Sequence, residues 1–221
     1  MVFHLRSIQL VFALLCWLSR GVFADTFLIL DQNGTPIKGA VIELTEVEGS
    51  SPIVDKNQPV VMDQINKQFV PELLVIKAND DVSFPNSDNI RHHVYSFSPA
   101  KPFELKLYSG QPNDPLTFEK PGIVVLGCNI HDSMVGYIYV AKTEYVEVTN
   151  DEGLAFIDPN LIYQSVKVWH PYQSGGHMTV TIVQRDNLTP SGDGNQVFEI
   201  ALSLQAPEPR KTLHNVLEYD H

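Results

Sequence analysis

The stretch from Gly127 to Val140, GCNIHDSMVGYIYV, constrains this chain more than any other. Cys128, His131 and Met134 place a thiolate, an imidazole and a thioether within seven residues. That soft donor set suits copper better than other common biological metals. Structural zinc sites take four Cys or His ligands and seldom a thioether, whereas a copper that shuttles one electron takes two His and one Cys with a weak axial Met. A second histidine is therefore required. Once the N-terminal leader is set aside, the upstream candidates are the adjacent pair His92 and His93, in SDNIRHHVYSF. Neighbouring side chains on a strand point to opposite faces, so only one of the pair can face such a site.

The leader itself is read from the first 24 residues. Arg6 precedes an apolar run from Ile8 to Leu18, and Val22-Phe23-Ala24 offers small residues at the cleavage positions, the pattern of a secretory signal peptide. Ser19, Arg20 and Gly21 interrupt the run before the roughly 20 apolar residues that a membrane span needs. Stable membrane insertion is thus not expected, and the expected location is the periplasm, with Asp25 as the first mature residue. Removing the leader takes away Arg6 and Arg20 and no acid, so the formal charge moves from −11 to −13. An acidic chain does not suit nucleic acid, whose phosphates call for a basic surface. Cleavage also removes Cys16 and leaves Cys128 as the sole cysteine. No disulfide framework can form, and a lone thiol in an exported protein persists when it is buried or held by a metal.

Helical periodicity is weak throughout. Residues 26–30 and 40–46 read as strands, and short runs that are apolar or alternate apolar with polar residues recur over 123–126, 137–140, 145–148 and 166–169, each bounded by Gly, Pro, Asn or Asp. The fold class is therefore all-β. Residues 186–195 read as a polar loop, and the stretch after Ala206, with Pro207 and Pro209, reads as an extended tail. Trp169-His170-Pro171-Tyr172 and His177-Met178 lack a carboxylate and a ligand-like spacing, so they read as aromatic packing. No Ser-His-Asp or paired-carboxylate arrangement can be assembled from any motif in the chain.

Residues from about Val60 to Ala141 resemble the cupredoxins, above all amicyanin, pseudoazurin and plastocyanin. The resemblance lies in His92-His93-Val94 at the place of a His-Asn-Val element, and in Cys128-x2-His131-x2-Met134 followed by Val135-Gly136 at the place of the closing loop. Phe69-Val70-Pro71, Lys77, Asp81, Val82, Phe84 and Asn86-x-Asp88 extend it. Two positions depart from the pattern: His93 stands where the family has Asn, and Ile130 where Pro often precedes the second His. The resemblance implies one type 1 copper ion, cycling between Cu(I) and Cu(II), with His92, Cys128, His131 and Met134 as metal ligands. It selects His92 over His93. A second resemblance, to the transthyretin-like, carboxypeptidase regulatory-like β-sandwich, lies in Asn33-Gly34-x-Pro36-Ile37-x-Gly39-Ala40-Val41 and in Thr149-Asn-Asp-Glu-Gly153-x-x-Phe156-Ile157 with Val166-x-Val168.

Together these imply a Greek-key cupredoxin β-sandwich over 54–141, inserted into a small regulatory-like sandwich made from 25–53 and 142–204, with a signal peptide at 1–24 and a tail at 205–221. The function expected from the resemblance is a periplasmic blue copper protein that carries one electron and is not an enzyme. Its partner would be a redox protein with a basic docking surface, such as a cytochrome or a dehydrogenase. Copper storage or delivery is the alternative, as is a non-redox interaction protein in which copper is structural.

Overall fold

The computed structural model describes residues 24–49, 58–110, 114–191 and 197–205. The leader expected over residues 1–24, apart from Ala24, lies outside the described residues, as do Cys16 and the tail from Ala206 onward. The described chain is almost wholly β, and its one helical element is the short 3-10 turn Arg185–Asn187. No helix among the described residues is long and apolar enough to cross a membrane.

Two four-stranded sheets use strands from near the two ends of the described chain. In one, Asp25–Asp31 lies between Leu154–Ile157, antiparallel, and Val197–Leu202, parallel, with Pro190–Ser191 at the edge. In the other, Val41–Thr45 lies between Val146–Val148 and Ser165–Trp169, and Thr181–Gln184 forms the edge. All other sheets are built from strands between Val60 and Ala141. The largest has five strands in the order Leu73–Lys77, His131–Ala141, Gly122–Cys128, His92–Ser96, Phe103–Tyr108. A three-stranded sheet of Leu116–Thr117, Asp81–Ser83 and Val60–Val61 and the hairpin Asp63–Ile65 with Gln68–Val70 complete this part.

Strand alternation sorts these elements into three cores. Phe27, Ile29, Ile42, Leu44, Val166, Val168, Phe198 and Ile200 fill the first, between the two four-stranded sheets. Met62, Phe84, Val94, Phe118, Val124, Leu126, Ile138 and Val140 fill the second. The third is made where the two parts meet: Val41 and Trp169 from one, Ile123, Tyr137, Tyr139 and Ala141 from the other. This explains why Val41–Thr45 is buried along its whole length. Ile42 and Leu44 face the first core while Val41 faces the third, so the strand is covered on both sides and cannot show the polar alternation of a half-solvated one.

Glu43, on that same strand, is 1% exposed. Its carboxylate accepts hydrogen bonds from Tyr139 Oη at 2.9 Å, Lys142 N at 2.6 Å and Thr143 N at 2.9 Å, and Lys167 Nζ lies 3.6 Å away. A buried carboxylate is tolerable when its lone pairs are used in this way. It ties Val41–Thr45 to the end of strand His131–Ala141. Glu43→Gln keeps the shape but replaces one acceptor oxygen by an amide donor, so we expect a stability loss of about 1–3 kcal/mol. Urea unfolding of the metal-free protein reads this directly, and an unchanged midpoint would show that the tie contributes nothing.

Of residues 186–195, read as a polar loop, residues 186–191 are described, and Pro190–Ser191 among them is an edge strand. Pro190–Ser191 pairs with Val197–Phe198, and Ser191 Oγ donates to Val197 O at 3.1 Å. Pairing as an edge strand overrides the polar sequence because Pro190, which has no N–H to give, needs none toward solvent at an edge.

Candidate metal centre

The closing stretch is held by the long hairpin of Gly122–Cys128 with His131–Ala141, which runs in register from Gly122↔Val140 to Gly127↔Val135 and then shifts, so that Cys128 pairs with His131. The shift lies between Gly127 and Cys128. Gly127 cannot carry a side chain here, since a Cβ would sit 2.7 Å from the Tyr95 ring. Gly136 is equally constrained, with the Phe69 ring where its Cβ would be, at 2.9 Å. The upstream strand His92–Ser96 pairs with the other edge of Gly122–Cys128, placing Val94 opposite Cys128. Asn129 N donates to His93 O at 3.3 Å and ties the loop to that strand.

His92, Cys128 and His131 converge, with one ligand-type atom from each lying within 4.8 Å of the others. Cys128 Sγ is 3.7 Å from His92 Nδ1 and 3.7 Å from His131 Nδ1. The two imidazole centroids are 5.0 Å apart. His92 is wholly buried and Cys128 nearly so, while His131 is partly exposed and Ile130 beside it is half-exposed. Met134 is buried in the same core cluster as Cys128. His93 points elsewhere: its Nε2 lies 2.9 Å from Glu104 Oε1, in ion-pair contact but out of hydrogen-bonding alignment, and its ring meets Tyr95 edge-on. The alternation of buried and half-buried residues along His92–Ser96 explains this division.

The spacing admits a metal ion, and the thiolate and thioether among the candidate donors favour copper. With the bond lengths of zinc, about 2.0 Å to imidazole and about 2.3 Å to thiolate, a trigonal arrangement separates nitrogen from sulfur by roughly 3.7 Å. Both Nδ1 to Sγ distances have that value.

Part of the chain is similar in structure to copper proteins. A Cu-containing nitrite reductase from Thermus scotoductus SA-01 matches with a TM-score of 0.37 and 26% identity, over 42% of this chain and 25% of that one. The reduced Cu(I) form of an amicyanin variant matches with a TM-score of 0.35 and 20% identity, over 42% of this chain and 95% of that one. A purple cupredoxin from Nitrosopumilus maritimus matches with a TM-score of 0.33 and 20% identity, over 38% of this chain and all of that one. This chain thus spans a quarter of the nitrite reductase chain. No protein-family model and no curated protein matches it.

The electrostatics of the site favour neutral imidazole at His131. Burial lowers its pKa below the ordinary histidine value, His92 and Lys67 add to the effect, and Asp88 opposes it. A neutral imidazole offers a lone pair to a metal without first losing a proton. Gln64 is wholly buried and its Nε2 donates to Pro85 O at 2.9 Å, and Tyr108 Oη donates to Phe84 O at 2.7 Å. Burial pushes the Tyr108 phenol up to about 12.

One residue without an assigned role in the sequence stands against the site. Asp88 Oδ2 lies 2.7 Å from His92 Nε2. Asn86-x-Asp88 belonged to the cupredoxin-like pattern, but its position in a loop carried no sign of which side chain it would meet. The Trp169 region, in contrast, contains aromatic contacts: Trp169 packs on Tyr137 and Tyr139 at centroid distances of 5.9 and 5.8 Å, and Trp169 Nε1 donates to His177 O at 2.8 Å.

Proposed function

We propose that this protein is a one-electron carrier in which His92, Cys128, His131 and Met134 would hold a single copper ion. The observation that carries the reading is the pair of 3.7 Å separations between Cys128 Sγ and the two imidazole nitrogens. Copper bound there would supply a Cu(I)/Cu(II) couple. The protein's own part is to fix the donors and keep water away. His92, Cys128 and Met134 are buried, so the only ligand with an edge toward solvent is His131. Were all four side chains to hold the ion, they would leave no position for a substrate, which favours a carrier over an enzyme.

The copper module in this reading is residues 54–141, inserted between 25–53 and 142–204. In support, every strand of the two end sheets comes from Asp25–Thr45 or Val146–Leu202, and every other strand from between them. The leader read from Arg6, Ile8–Leu18 and Val22-Phe23-Ala24 would deliver the protein to the periplasm.

Electrons would pass through the His131 edge, with Ile130 as a dry contact beside it, to a redox protein carrying a basic surface. A charge of −13 after leader removal would attract such a partner and raise its encounter rate. Salt screens exposed charges over about 8–10 Å near physiological strength. We therefore expect the second-order transfer rate with a basic cytochrome to fall as salt is added, and that with an acidic cytochrome to rise. Stopped-flow kinetics across an ionic-strength series decides this. Flat rates with both partners would remove the charge from the docking account, and failure of bound copper to cycle reversibly would remove the carrier reading itself.

A further inference from the structure

We propose that Asp88 is the positioning residue of this site: it fixes His92 with its proton on Nε2 and its Nδ1 lone pair toward Cys128, and its negative charge favours the oxidised metal. The inference rests on the copper reading above for its second half only. The first half concerns the protein alone.

Asp88 is anchored on several sides. Oδ2 faces His92 Nε2 at 2.7 Å and also accepts Lys67 N at 2.9 Å, while Oδ1 accepts Asn66 N at 2.6 Å. Its own main-chain N–H donates to Asn86 Oδ1 at 3.0 Å. Asn86 is buried and fastened in turn, with Nδ2 donating to Ile90 O at 2.9 Å and Tyr108 O at 2.8 Å. Asn66 and Lys67 form the two-residue tip of the hairpin Asp63–Ile65 with Gln68–Val70, both with positive φ, 53° and 60°. Their N–H groups point out of the turn into the Asp88 carboxylate. The carboxylate therefore joins a hairpin tip to the imidazole of His92, with its orientation set by backbone groups on both sides.

The consequence for His92 follows from donor and acceptor roles. An ionised carboxylate only accepts, so Nε2 carries the proton, and in the neutral ring Nδ1 then keeps its lone pair. That lone pair faces Cys128 Sγ, the direction a metal would occupy. Imidazoles that ligate metals recurrently donate the other ring N–H to a carboxylate or carbonyl, which fixes the tautomer and raises ligand basicity. A carbonyl would supply the hydrogen bond without the charge. Asp88 supplies both, and a full negative charge touching a ligand stabilises Cu(II) more than Cu(I).

A role as a turn clamp alone and the proposed role are separable. Asp88→Asn retains one oxygen for His92 and loses the charge, along with one acceptor for the turn. Asp88→Ala loses the contact altogether. In the full metal-free protein, nitrogen NMR of the histidine rings should show His92 as the Nε2–H tautomer in the wild type and in Asp88→Asn, and a loss of that preference in Asp88→Ala. With copper bound, Asp88→Asn should weaken Cu(II) about 10-fold or more, within the 10–100-fold span seen for such outer partners. If Cu(I) binding is unchanged, 10-fold converts to a potential about 59 mV higher. The potential, measured by redox titration, should rise. An unchanged potential in Asp88→Asn would overturn the charge half of the proposal. A wild type in which His92 is not the Nε2–H tautomer would overturn the positioning half, even if Asp88→Ala fails to fold. A wild-type protein that takes up no copper would instead overturn the copper reading, and the metal-free NMR result would still decide the contact between Asp88 and His92.

Discussion

Cys128→Ser should abolish the intense visible absorption of the copper-loaded protein altogether. Such absorption arises from the bond between thiolate and Cu(II), and serine has no soft sulfur to replace it. Cys128 is the only free cysteine among the described residues, and the other cysteine of the sequence, Cys16, lies in the stretch expected to be a cleaved leader. With that stretch removed, no second thiol would be available to take its place. The substitution also puts a hydroxyl into a nearly closed position beside Val94, and a buried hydroxyl that finds no partner costs about 1–3 kcal/mol. Unfolding curves of the metal-free variant separate that cost from the loss of colour. A folded Cys128→Ser protein that retains the band would exclude Cys128 as a ligand.

Trp169→Ala should be the costliest single truncation among the residues considered. The indole is fully buried where the two parts of the chain meet, against Tyr137 and Tyr139, with its N–H given to His177 O. Removing it leaves a cavity bounded by strands from both parts and an unpaired carbonyl at His177. Buried Trp or Phe to Ala changes typically cost about 3–5 kcal/mol. Denaturant unfolding of the metal-free protein measures it. The loss should be reproduced only in small part by Trp169→Phe, which keeps most of the volume. Because Tyr137 and Tyr139 face away from the second core, where Cys128 and Met134 lie, the visible spectrum of copper-loaded Trp169→Ala should be unchanged. A cost below about 1 kcal/mol, far under that range, would mean that the two parts touch without stabilising one another.

Much of the strand content was legible because short apolar or alternating runs bounded by turn residues mark strands. Residues 26–30 and 166–169 fall within the observed strands Asp25–Asp31 and Ser165–Trp169, and 40–46 overlaps Val41–Thr45. Two-residue strands such as Val60–Val61 and Leu116–Thr117 are too short for a period to register. The pairing of strands was also beyond reach. Asp25–Asp31 lies parallel to Val197–Leu202, and Leu73–Lys77 parallel to His131–Ala141, and no local signal connects segments so far apart. The candidate site was legible where its chemistry is local: Cys128 and His131, which the structure brings together with His92, announce themselves by type and spacing. Asp88 and Glu43 did not. The partners of Glu43 come from distant segments, and Asp88, though four residues from His92, lies in a loop whose side-chain directions carry no sequence period. In sequence an acid that will be buried and bonded looks the same as one left in water.

The most direct test of the copper reading is a visible absorption spectrum of the mature protein titrated with Cu(II). We expect an intense band that grows to a single equivalent, bleaches when a reductant is added and returns on reoxidation. One equivalent of bound copper with only the faint absorption of a site lacking a thiolate bond would contradict the assignment of Cys128 with His92 and His131, and with it the proposed function.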